Sequence, residues 1–166
     1  MQVVIADAGP IIALSRMGRL GLLAQLFKSV WITQVVLNEL QAQPTTAFAG
    51  QPDIQTALAQ WLQVQSDLGA EFEPISATLD AGELSSIRLC LKHPGSLLVV
   101  DDQTGRLEAA AQKLNFTGLV GLLLRAHERG FVNALHPVLL ELKAQNYFLS
   151  DALIAQVLAL AGQEPV

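Results

Sequence analysis

A chain of 166 residues with a net charge of −5 has room for a core of its own, and it lacks the Lys/Arg surplus of a protein that coats nucleic acid. Its residues are 51% hydrophobic, with a mean hydropathy of +0.40, yet no apolar run approaches the roughly 18 residues that a membrane helix needs. One cysteine, Cys90, excludes an internal disulfide framework.

The opening Met1–Ala6 has no basic residue and is cut by Asp7, so it does not read as a secretory leader, and a cytoplasmic protein is expected. Val3-Val4-Ile5 is a β-branched run that predicts a first strand, stopped by Asp7-Ala8-Gly9-Pro10. Pro10 suits the first turn of a helix that Ile11, Ile12, Leu14, Ser15 and Met17 carry to Gly18. A second helix is expected over about Leu20–Phe27, then a short strand at Val30-Trp31-Ile32. Thr33 stands where it can cap the helix bearing Val35, Val36, Leu37, Glu39 and Leu40.

Gln43 to Pro52, with Pro44, Thr45, Thr46 and Gly50, reads as a mobile loop, and a helix is expected from about Ile54 to Val64. A turn and a short extended piece around Phe72–Ile75 follow. Helix is then expected over 79–91, with Cys90 as a buried thiol on its apolar face. Ser96–Val100 reads as a buried strand, 103–114 as helix, Asn115-Phe116-Thr117 as a short strand and about 118–129 as helix. The tail adds helices near 137–145 and 150–161, separated by Asn146-Tyr147-Phe148. Leu153, Ile154, Val157 and Leu158 of the last helix read either as core or as a subunit contact. Strands alternating with helices imply parallel pairing through crossovers. The expected fold is thus α/β, a central parallel sheet flanked by helices on both faces, in a single domain over 1–166.

In such sheets ligands bind at the carboxyl ends of the strands. Asp7 lies just after the first strand, and Asp101-Asp102 just after Leu97-Leu98-Val99-Val100. Glu39 and Glu83 are placed to approach the same edge from helices. Each has a structural alternative: an Asx turn or helix cap for Asp7, a capping box for Asp80 with Glu83, an N-cap for one of Asp101 and Asp102, and a solvated helix face for Glu39. Jointly they are harder to dismiss, because gathered carboxylates repel by about 1–4 kcal/mol per close pair. A chain with only 15% charged residues has little reason to concentrate them unless a cation is the counter-charge. Oxygen donors alone suit Mg²⁺ or Mn²⁺ rather than zinc, and His93, His127 and His136 have no zinc-like spacing.

These segments resemble a known family. V-V-I-A-D-A-G-P-I-I-A-L-S at 3–15 is similar to the opening of PIN-domain proteins, and V-V-L-N-E-L at 35–40 to their second acidic segment. L-D-A-G-E at 79–83 resembles the third, L-L-V-V-D-D-Q-T-G-R at 97–106 the fourth, and G-L-V-G-L-L-L-R-A-H-E-R-G at 118–130 the helix after it. The order and spacing carry the resemblance, which covers nearly the whole chain and is nearest to a bacterial nucleic-acid-binding subgroup related to VapC-type toxins.

The resemblance implies metal-dependent cleavage of RNA by a water activated at an acidic pocket. It makes Asp7 the principal ligand for Mg²⁺ or Mn²⁺, Glu39 and Glu83 the second and third acids, and Asp101 or Asp102 the fourth. Asp80 is a weaker candidate. Arg106, one turn after Asp102, is either a substrate-phosphate contact or a solvated helix residue. A homodimer and a small antitoxin partner are further implications.

Two departures bear on activity. Ala8 and Gly9 stand where toxin relatives usually carry a hydroxyl or asparagine, and Asp101 stands where many have threonine. A competing reading is therefore a weakly catalytic binding or scaffold module of the same fold. A response-regulator-like phosphotransfer domain ranks last, since none of Lys28, Lys92, Lys113 or Lys143 follows a strand at the required place.

Overall fold

The computed structural model describes residues 2–43, 51–66, 70–145 and 147–162. Chain contacts group them into two compact units, Met1–Gly118 and Leu119–Val166.

The first unit is built on five parallel strands: β1 (Val4–Ala6), β2 (Val30–Thr33), β3 (Leu62–Gln65), β4 (Leu97–Val99) and β5 (Asn115–Thr117), ordered β3-β2-β1-β4-β5. Its helices are α1 (Ala8–Arg16), α2 (Gly21–Phe27), α3 (Gln34–Gln41), α4 (Gln51–Gln60), α5 (Ala81–Lys92) and α6 (Gln103–Ala111). Every residue of β1 and β4 is buried. Neighbouring strand residues point to opposite faces, so both faces of the central sheet are out of water, as parallel sheets require. Helix α5 packs across β1, β2 and β4. The core there joins Ile5, Leu98 and Val100 of the strand segments to Ile87, Leu89, Cys90 and Ala109 of the helices. Fully buried side chains of this size each contribute about 2 kcal/mol.

The expected strands and most expected helices are present, and Thr33 caps α3 as anticipated, accepting from the Val36 N–H at 3.1 Å. One element differs. The helix expected from Ile54 to Val64 runs instead from Gln51 to Gln60, and Leu62–Gln65 is a strand. Ile54, Ala57, Leu58, Trp61 and Leu62 keep a helical period without a break, so periodicity alone runs through the junction. Pairing decides it: Val30, Trp31, Ile32 and Thr33 of β2 register against Leu62, Gln63, Val64 and Gln65. Of the expected 43–52 loop, 44–50 lie outside the described residues, and its last two positions begin α4. The segment around Phe72–Ile75 forms no strand. It is held by side chains: Arg88 pairs with Glu71 at 2.6 Å, and the buried Glu108 accepts from the Ser76 N–H at 3.1 Å.

The second unit consists, among its described residues, of α7 (Leu119–Glu128), α8 (Leu135–Ala144) and α9 (Asp151–Leu160). Gly130, at φ +81°, supplies the left-handed residue that ends α7, and His127 Nδ1 lies 2.8 Å from the Val132 carbonyl across the following turn. Ser150 caps α9 through the Leu153 N–H. Ile154, Val157 and Leu158 are buried, whereas Leu153 is exposed, so most of the apolar face of α9 is core. No helix among the described residues is long and apolar enough to cross a membrane.

Strand order places the site. From β1 the chain builds to one side through β2 and β3, and the other side of the sheet is β4 and β5. The crevice between the carboxyl ends of β1 and β4 is the topological switch point, where open parallel sheets bind ligands.

Candidate acidic site at the strand ends

Strand β1 delivers Asp7 to that crevice. Its backbone N–H still belongs to the ladder, donating to the Val99 carbonyl at 2.9 Å. The residue stands at the N-cap position of α1 with extended backbone, but its side chain makes no capping bond to the first turn. It meets the Ala8 N–H instead. Asp7 is 7% exposed, and its Oδ1 is buried without a hydrogen-bond partner. A turn or cap role leaves that oxygen unexplained, and a buried unpaired polar atom costs about 1–3 kcal/mol. Burial pushes the Asp7 carboxyl up to about 7; the Ala8 N–H opposes this, and the charges of Asp80, Glu39 and Asp101 add to it.

Glu39 reaches the same place from the second turn of α3. Helices α3 and α5 pack against each other, and the Thr33 and Ser85 hydroxyls, 2.7 Å apart, tie the end of β2 to α5. The Glu39 carboxylate accepts from the Gly82 N–H in the first turn of α5, where donors are unpaired and the helix dipole favours an anion. Burial first, and the Asp80 charge second, raise its proton affinity; the Gly82 N–H lowers it. A Cβ on Gly82 would stand 2.6 and 2.7 Å from the two Glu39 carboxylate oxygens. Any side chain there would push the Glu39 carboxylate from this position.

Asp80 and Glu83 form the capping box anticipated for them. Asp80 Oδ1 accepts from the Glu83 N–H at 2.8 Å, and Glu83 Oε2 accepts from the Asp80 N–H at 3.1 Å. Capping is not the whole account of either. The Asp80 charge raises the proton affinity of Asp7, Glu39 and Glu83, so Asp80 stands centrally among the acids. Glu83 is 3% exposed and also hydrogen-bonds the Asp102 side chain. Burial pushes its carboxyl up to about 7, opposed by the Asp80 N–H and reinforced by Asp80 and Asp102.

The adjacent aspartates have divided roles. Asp102 is exposed and caps α6, accepting from the Thr104 N–H at 2.9 Å. Asp101 is half-buried and lies within electrostatic reach of Asp7. A Cβ on Gly118 would stand 2.7 Å from Asp101 Oδ1 and 3.6 Å from Arg106 Nη1, so the carboxylate and the guanidinium flank the same small residue. A Cβ on Gly105 would stand 2.9 Å from Val100 Cγ2 and 3.3 Å from the Glu83 carboxyl carbon.

A sequence profile described as a PIN domain matches residues 3–163. The chain belongs to the PIN-domain family. A comparison with curated proteins finds no match. The five-stranded parallel sheet with its helices agrees with that membership, and the fold is of the nuclease type.

PIN domains generally use divalent metal ions. The donors of this PIN domain fit such an ion in kind. They are oxygens only, one of them buried and unpartnered on Asp7, and no histidine or cysteine is among the groups that perturb them. As the side chains stand, no three Asp, Glu, His or Cys among the described residues are grouped closely enough to hold an ion.

Of the residues anticipated from sequence, Asp7, Glu39 and Asp101 form one electrostatic cluster, and Glu83 with Asp102 forms a hydrogen-bonded pair. Asp80 links the two groups. The glycines were missed, although their signal was present: Gly82 and Gly105 lie within helices, where glycine costs up to about 1 kcal/mol relative to alanine. Glycine there calls for a steric reason.

Proposed function

We propose that this PIN domain is a divalent-metal-dependent ribonuclease acting on phosphodiester bonds. The observation that carries the reading is the buried, unpartnered Oδ1 of Asp7 at the switch point, surrounded by the charges of Asp80, Glu39 and Asp101. Asp7 would hold Mg²⁺ or Mn²⁺ together with Asp101, with Asp80 completing the oxygen set and Glu39 left free of the ion. A bound divalent ion supplies Lewis acidity toward a phosphate oxygen and lowers the pKa of a water.

The chain's own residues account for the rest. Glu39, oriented by the Gly82 N–H and raised in proton affinity, accepts a proton from the attacking water at its carboxylate. The Glu83–Asp102 pair ties the start of α5 to the start of α6 and so sets the spacing of the acids. Arg106, beside Asp101, contacts a non-bridging phosphate oxygen. The family match runs across both compact units, which supports one functional domain over 1–166. A toxin role with a small antitoxin, a homodimer and a cytoplasmic setting complete the proposal; they rest on the VapC-type resemblance.

Labelled single-stranded RNA is incubated with the purified protein and Mg²⁺ or Mn²⁺, beside EDTA and Asp7→Asn. Metal-dependent cleavage, lost in both controls, is the expected result. A second reading, a binding module of the same fold, draws on the absence of a closed ligand cluster among the described residues. RNA binding with no cleavage under either metal would favour it.

A further inference from the structure

We infer that the cleft between α6 and β5 is a stacking subsite for one unpaired nucleobase next to the reacting phosphate; this rests on the ribonuclease reading and assigns part of its substrate specificity. The cleft has a volume of about 450 Å³ and is lined by Asp101, Gln103, Arg106, Leu107, Ala110 and Phe116, which is the size of a small-ligand site.

Its walls have the chemistry of a base platform. The Arg106 guanidinium carbon lies 5.7 Å from the centroid of the Phe116 ring, pairing a delocalised cation with an aromatic face. Leu107 is 64% exposed, an apolar side chain held in water at the cleft wall. Gln103, in the first turn of α6, brings an amide that both donates and accepts, which is what reading a base edge requires.

Two observations select the occupant. Asp101 lines this cleft and also belongs to the acidic cluster, so a ligand seated in the cleft continues into the candidate metal site. Arg106 is the basic group in the lining, suited to the phosphate attached to such a base. A base inside a duplex keeps its faces stacked on its neighbours and cannot enter. The subsite therefore selects single strands, and stacking makes it tolerant of sequence except where Gln103 reads the edge.

The test uses the wild-type full chain in Ca²⁺, whose looser coordination makes it a poor substitute for Mg²⁺ in phosphate chemistry and so holds back turnover, with a fluorescent RNA hexamer read by anisotropy. Each nucleotide of the hexamer is replaced in turn by an abasic one. One position is expected to weaken binding about tenfold. That penalty should shrink to less than about twofold when Phe116→Leu or the solvent-exposed Leu107→Ser is added. Leu107→Ser keeps the test independent of folding, because that side chain supports no core.

Binding that is indifferent to every abasic substitution overturns the subsite and leaves the ribonuclease reading standing. No binding of any hexamer, together with no cleavage by the wild-type chain, overturns both. Phe116→Leu and Leu107→Ser that alter the monomer–dimer equilibrium in sedimentation but not hexamer binding would assign the cleft to a second copy, and that also overturns the proposal.

Discussion

At the residue scale, Asp7 is folded against its own charge. Burial holds its carboxyl near 7, whereas an unfolded chain ionises at about 3.8. Between those values the folded state binds the proton that the unfolded state has released, so stability falls as pH rises through the window and levels off above it. Replacing Asp7 by asparagine removes the penalty. The displacement sets a ceiling of roughly 4 kcal/mol, and the new amide leaves a donor of its own to satisfy. Asp7→Asn should therefore be more stable than wild type by about 2 kcal/mol at pH 8 without metal, with the gap closing toward pH 5. Urea midpoints of the two proteins across that range measure it. An equal or less stable variant at pH 8 would mean that Asp7 is satisfied by a partner within the fold. Sequence placed Asp7 correctly at a strand end, but whether it capped a helix or stood unpaired was illegible there. That distinction depends on burial and on side-chain geometry, which a strand-turn-helix pattern does not encode.

At the element scale, helix α5 combines a cap, an anion contact and a steric gap in its first four residues. The cap was legible, because Asp80 and Glu83 have the spacing of a capping box; its second use was not, because the neighbours of Asp80 come from β1 and α3. Asp80→Asn keeps a capping oxygen and removes the charge, while Asp80→Ala removes both. Asparagine should leave stability nearly unchanged or raise it, and alanine should lower it by about 1 kcal/mol; thermal unfolding of the two variants separates cap from charge. Gly82→Ala is a sharper test. Alanine is the better helix former by up to about 1 kcal/mol, yet its Cβ would meet the Glu39 carboxylate at 2.6 Å. Those oxygens end a flexible side chain that can swing aside at small cost, so the variant should fall short of the propensity gain and end slightly less stable than wild type. In the Glu39→Ala background the same change should become neutral or stabilising, a coupling that a double-mutant cycle in urea reads directly. Additive effects would remove the close approach as the reason for glycine. The β3 strand belongs to this scale too: four residues of Leu-Gln-Val-Gln carry no decisive period, and only β2 beside them determines their conformation.

At the scale of the whole chain, alternation of strand and helix was enough to predict a parallel α/β sheet, because crossovers leave few other arrangements. Strand order was not predictable from alternation, and it is the order that brings Asp7 and Asp101 to one crevice. If the ribonuclease proposal holds, the net charge of −5 constrains how such a chain would meet RNA. With 10 basic residues against 15 acidic ones, affinity cannot rest on a broad phosphate-binding surface, and the oxygen cluster repels phosphate until a cation neutralises it. Binding should therefore depend strongly on divalent metal and weakly on monovalent salt. For one or two neutralised phosphates on a single strand, raising salt from about 50 to 200 mM weakens affinity only about three- to sevenfold. Chelating the metal should weaken it far more. Anisotropy titrations of the Asp7→Asn chain do not suffice for the metal arm, because that variant lacks one of the proposed ligands. The wild-type chain with Ca²⁺, a poor substitute for Mg²⁺ in phosphate chemistry because of its larger and looser coordination, is the proper form. A hundredfold loss across the same salt range, or affinity unaffected by EDTA, would place the RNA on a basic surface away from the strand ends and detach the acidic cluster from substrate binding.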